Sequence, residues 1–143
     1  MRRIASLLAA LVTFVPVAGM AGGQAAPKHP IIGAWKILSK DGKCSETYRF
    51  RSNGTMTVLS GDEITEVMYE IAAEPSSQGF YRWTHRIVSS NGKKDCSGKV
   101  TEAGQSFTWF VQFDASKQQL LVCKEESLQA CFGPLRRQRE VDT

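Results

Sequence analysis

What most constrains this chain is its punctuation. From Ile31 onward every alternating run is short and ends in turn-forming residues, among them Asp41-Gly42, Asn53-Gly54, Gly61-Asp62, Pro75-Ser76-Ser77-Gln78-Gly79, Asn91-Gly92 and Ala103-Gly104. Asn, Asp and Gly tolerate the backbone angles of tight hairpins. Between the turns the apolar residues recur at every second position, the period of a half-buried strand. The runs are Ile31–Ser39, Ser45–Arg51, Thr55–Leu59, Glu63–Ala73, Phe80–Ser89, Ser97–Glu102 (the weakest), Ser106–Phe113, Gln119–Lys124 and Cys131–Arg137. Glu125–Gln129 has room for one helical turn at most. The pattern predicts an all-β fold, a small antiparallel up-and-down barrel of eight or nine short strands. A two-sheet sandwich is the competitor; short connections throughout favour neighbour pairing and closure.

The chain opens with Met1-Arg2-Arg3, an apolar run from Ile4 to Ala18, and small residues through Ala26. That is the pattern of a secretory signal peptide, expected over residues 1–25 with cleavage after Ala21 or Ala25. The run is short for a membrane span. The expected product, residues 26–143, is a single periplasmic or secreted domain without stable membrane insertion, and a monomer. The formal charge is +4. Since Arg2 and Arg3 belong to the leader, the rest carries 16 basic and 14 acidic side chains, a balance of +2. No basic stripe interleaved with aromatics is present, so no nucleic-acid partner is expected. Pro27 and Pro30 give an extended lead-in, with His29 read as solvated.

Cys44, Cys96, Cys123 and Cys131 all follow the leader, and an even count in an oxidising compartment reads as two disulfides. A zinc site is the rival, but no C-x-x-C pair exists and only His29 and His85 could assist. In a nine-strand meander Cys44 and Cys96 fall at one rim and Cys123 and Cys131 at the other, which predicts the pairs Cys44–Cys96 and Cys123–Cys131.

Strand parity predicts an interior of Trp35, Ile37, Tyr48, Phe50, Met56, Val58, Val67, Tyr69, Ile71, Tyr81, Trp83, His85, Ile87, Phe107, Trp109 and Val111. Two readings stand side by side: a filled core, or an apolar pocket whose ligand-binding candidates are Tyr48, Tyr69, Tyr81, Trp83, His85 and Trp109. His85 either meets a ligand's polar head or bonds a neighbouring tyrosine. Asp62, Glu63 and Glu66 read as a charged turn tip. No G-x-S-x-G, phosphate loop, EF-hand loop or H-E-x-x-H is present, so neither catalysis nor a metal or other cofactor is expected.

Gly33-Ala34-Trp35 on the first strand resembles the G-x-W signature that opens lipocalins and other calycins. The resemblance implies a barrel closed at one end by Gly33 and Trp35, with a C-terminal arginine, Arg136 or its neighbour Arg137, packed across the indole. The whole exported part is similar to a compact bacterial lipocalin-like protein binding a small hydrophobic or amphipathic ligand. It departs from that family in its short length and in carrying Thr101-Glu102-Ala103-Gly104 where a T-D-Y motif would stand. The alternative is a protein-binding module or hydrolase inhibitor with a filled barrel, acting through rim loops or the N-terminal arm, Ala26–Pro30.

Overall fold

The computed structural model describes residues 26–139, so the expected signal peptide at 1–25 lies outside the described residues. Eight strands follow one another: β1 (Gly33–Leu38), β2 (Ser45–Phe50), β3 (Thr55–Ser60), β4 (Glu63–Ile71), β5 (Tyr81–Ser90), β6 (Ser106–Phe113), β7 (Gln119–Cys123) and β8 (Cys131–Arg137). Each pairs antiparallel with the next, and β1 pairs with β8, giving a closed up-and-down barrel. Closure removes the unpaired edges that a sandwich would leave.

The weakest expected strand, Ser97–Glu102, does not form; it belongs to the long β5–β6 connection. The reason is local. The Asp95 carboxylate accepts hydrogen bonds from the backbone N–H groups of Ser97 and Lys99, both at 2.8 Å, and from the Ser97 hydroxyl at 2.7 Å. A short acidic side chain thereby takes donors that a strand ladder would need.

Losing that strand reverses the direction of everything after it. Both predicted disulfides are present, Cys44–Cys96 and Cys123–Cys131. They do not sit at opposite rims, however. With eight strands, Cys123 ends an ascending β7 and lies at the same end as Cys44 and Cys96. The pairing is as expected, but the expected placement of the two bridges at opposite rims is corrected: all four cysteines lie at one end. Two disulfides fit a non-reducing, extracellular or periplasmic environment.

The opposite end is sealed by the first strand. Trp35 is 0 % exposed, and its indole N–H donates to the Ile31 carbonyl at 2.8 Å. The arginine packed on it is Arg137, whose guanidinium carbon lies 4.2 Å from the ring centroid; Arg136 is exposed on the outer face. This corrects the expectation placed on Arg136. Arg137 also donates to the carbonyls of Ile32 (2.9 Å), Pro30 and Lys117 (3.1 Å), tying the lead-in segment to the barrel seam. The φ of Gly33 is +120°, which calls for glycine at this position, and a Cβ there would also crowd an Arg137 nitrogen at 3.0 Å.

Within β8, Pro134 has no N–H to give the ladder. The β7–β8 register shifts between Leu120 and Val122. Beyond that bulge Leu135 and Arg137 turn inward.

Candidate functional site

Between the tryptophan-sealed end and the disulfide-bearing end the barrel holds a pocket of about 470 Å3. Its deeper wall is apolar, with Met56 and Val58 from β3, Val67 from β4, and Trp83 and Ile87 from β5. Behind that wall Phe50 backs Trp83 at 5.3 Å and lies 5.1 Å from Tyr69 between ring centroids. Aromatic side chains of β5, β6 and β8 complete the wall as His85, Phe107, Trp109 and Phe132.

Toward the mouth the inward positions turn polar. Glu46, Ser60, Glu63 and Thr65 continue the inward parity of Tyr48, Val58 and Val67. Glu63 is only 4 % exposed, and its two carboxylate oxygens accept from the Thr101 N–H and hydroxyl, both at 2.7 Å. This acid is therefore not the solvated turn tip expected of it: it holds the β5–β6 loop over the mouth. Glu46 accepts from the Tyr48 hydroxyl at 2.6 Å and from the Ser60 hydroxyl at 3.0 Å. Burial pushes the Tyr48 phenol well above its ordinary pKa, and the Glu46 charge adds to the rise. The loop is fastened a second time by the Cys44–Cys96 bridge and by the Cys96 N–H donating to Ser60 Oγ at 3.1 Å.

The six candidate ligand-binding residues divide. Tyr48, Trp83, His85 and Trp109 line this pocket. Tyr69 does not; its hydroxyl donates to the Arg51 carbonyl at 2.6 Å. Tyr81 lies toward the sealed end, 5.0 Å from His29 and 5.5 Å from Phe113 between ring centroids. Parity placed both rings inward, but strand position puts them beside the cavity rather than on it. Apolar alternation does not point to Glu46 or Glu63 as pocket residues, although Glu46 shares its parity with Tyr48 and Phe50.

Two buried polar atoms have no partner among the described residues, Trp83 Nε1 and His85 Nδ1, and both belong to residues on the pocket wall. The His85 ring is stacked between Trp83 (4.8 Å) and Phe107 (5.3 Å), so the tyrosine hydrogen bond considered for it is replaced by aromatic packing. Desolvation lowers its pKa to about 4.

His29 is not solvated either. Its Nδ1 accepts from the Ile31 N–H at 3.1 Å, so Nε2 carries the proton and donates to the Ala72 carbonyl at 3.1 Å. Burial lowers its pKa as well. Both histidines are thus proton-poorer in the folded state than in the unfolded chain. Their contribution to stability is complete above pH 6.5 and is lost as pH falls below it, in the case of His85 toward about 4. For the half-buried His85 alone the expected loss between pH 7 and pH 4.5 is about 2 kcal/mol. Equilibrium urea unfolding at the two pH values checks this, with His85→Asn expected to flatten the dependence. An unchanged slope in that variant contradicts it. The lowered carboxyls of Asp41, Asp95 and Asp114 act only below their ordinary value of 3.8, outside this window.

Fold and cavity together define the class: a closed eight-stranded antiparallel barrel, sealed at one end by a tryptophan and pocketed at the other, which fits a calycin-like fold. No family model matches the chain, and no match is found among the curated proteins or the solved structures. Among the described residues no group of three or more His, Cys, Asp or Glu side chains could hold a metal ion.

Proposed function

We propose that this protein is an exported, monomeric, lipocalin-like barrel that binds a small amphipathic molecule in its interior, without catalysis. The observation that carries the reading is the 470 Å3 pocket with the indole N–H of Trp83, itself 2 % exposed, unpartnered on its wall. An orphaned buried donor costs about 1–3 kcal/mol unless something accepts from it, and a ligand oxygen or nitrogen would do so. A volume of several hundred Å3 with an apolar wall and few polar groups is the ordinary form of a small-molecule site. Export is supported by the signal-like leader and both disulfides. The non-catalytic reading is supported by His85, which stacks on aromatic rings instead of meeting a nucleophile or a carboxylate. Membership of the calycin superfamily is supported by Gly33, Trp35 and Arg137 acting together at the sealed end.

The test is the emission of N-phenyl-1-naphthylamine, a neutral dye that brightens in apolar surroundings. The parent protein is expected to bind it saturably. Val58→Phe, which fills the pocket from β3, is expected to weaken binding by about tenfold or more with little change in melting temperature. Equal enhancement in parent and variant, or none in the parent, overturns the reading.

A further inference from the structure

The polar mouth of the pocket carries more negative than positive charge, and its partners are unevenly distributed. Asp95 and Lys99 compensate one another: the Lys99 cation favours the charged Asp95, whose carboxylate is also occupied by its own loop. Glu63 is taken up by Thr101. Glu46 is different. Each of its oxygens accepts one hydroxyl, from Tyr48 or Ser60, whereas a carboxylate has about four acceptor sites in all. No cation among the described residues lies in salt-bridge contact with it; the ion pair found among them is Arg51–Glu66, on the outer face. An inward, half-buried carboxylate with spare acceptor capacity would favour a cation placed beside it.

Farther down the same wall, Trp83 Nε1 is an unfilled donor. Aromatic faces of Trp109, Phe107 and His85 line the same pocket, and such faces suit an aryl body or a nearby ammonium. Resting on the pocket reading above, we propose that the ligand is a small cationic amphiphile. Its ammonium sits on Glu46 at the mouth, its aryl or alkyl body lies against the aromatic wall, and a hydrogen-bond acceptor at the far end meets Trp83 Nε1. Anionic amphiphiles are disfavoured, because the inward acids Glu46 and Glu63 would face a like charge.

Three probes sharing one tail separate the charge from the pocket: 2-(4-methoxyphenyl)ethylamine, 2-(4-methoxyphenyl)ethanol and 3-(4-methoxyphenyl)propionate. Calorimetric titration of the exported chain is expected to rank amine over alcohol by about tenfold, with the propionate weakest. Glu46→Gln, which removes the charge but keeps one of the two acceptor oxygens that Tyr48 and Ser60 use, is expected to erase the amine's advantage over the alcohol. Raising the salt concentration should weaken the amine alone. An alcohol bound as tightly as the amine, or a Glu46→Gln variant that retains the preference, overturns the cation assignment while leaving the pocket standing. Binding of none of the three also overturns it, and the neutral dye then decides the pocket separately.

Discussion

Removing the Cys44–Cys96 bridge by a double alanine substitution lowers the unfolding free energy by about 4 kcal/mol, and removing Cys123–Cys131 costs about 2.5 kcal/mol. The bridges close segments separated by 52 and 8 residues, and the entropy taken from the unfolded chain grows with the logarithm of that length. The longer bridge also has a local role. It fastens the β5–β6 loop beside β2, and that loop contributes Asp95, Lys99, Val100 and Thr101 to the pocket. Its loss therefore weakens dye binding at temperatures where the barrel is still folded, whereas loss of the hairpin bridge does not. Urea unfolding and dye titration on the two double variants read both effects. Equal costs, or a larger cost for the short bridge, contradict the account.

Trp35→Ala is the second large effect, a loss of about 3–5 kcal/mol. The indole is fully buried, bonds the Ile31 carbonyl, carries Arg137 on one face and lies 5.7 Å from the Phe113 ring. Truncation leaves a cavity at the sealed end and deprives the guanidinium of its platform. Trp35→Phe keeps a ring but not the hydrogen bond, and is expected to lie between parent and alanine variant. Arg137→Lys is also costly for a conservative change, because one ammonium cannot reach the carbonyls of Pro30, Ile32 and Lys117 in the fixed fork that arginine presents. Under conditions where these variants fold, ligand affinity should be unchanged, since the sealed end is remote from the mouth. Thermal and urea denaturation check the ranking; a Trp35→Ala cost below about 1 kcal/mol would show that the closure is incidental.

The barrel was legible because turn residues and period-two alternation agree along nearly the whole chain. The exception is instructive. Val100 and Thr101 alternate like a strand, but Asp95 just upstream captures the backbone donors and makes a loop. One surplus strand reverses the direction of all that follow and puts Cys123 and Cys131 at the wrong end. Their pairing is insensitive to that reversal, because a short hairpin keeps them together whichever way it points. The choice between Arg136 and Arg137 depends on a bulge at Leu120/Val122, and single-strand parity does not register a bulge. On the pocket wall, aromatic residues announced themselves by apolar alternation. Glu46 and Glu63 carry no such signal, because a charged side chain at inward parity looks like a solvated one. His29, flanked by prolines, looked exposed until the chain folded it against Ala72 and Tyr81.

The most direct measurement of the central claim is the indole N–H resonance of Trp83 in nitrogen-15-labelled protein titrated with 2-(4-methoxyphenyl)ethanol. A neutral probe tests the pocket independently of its charge. Trp83 Nε1 has no acceptor among the described residues, whereas Trp35 Nε1 is already bonded to Ile31. The account predicts a saturable shift of the Trp83 indole proton with the Trp35 signal unmoved, and its disappearance in Val58→Phe. A Trp83 signal that stays fixed while only surface resonances move would contradict it.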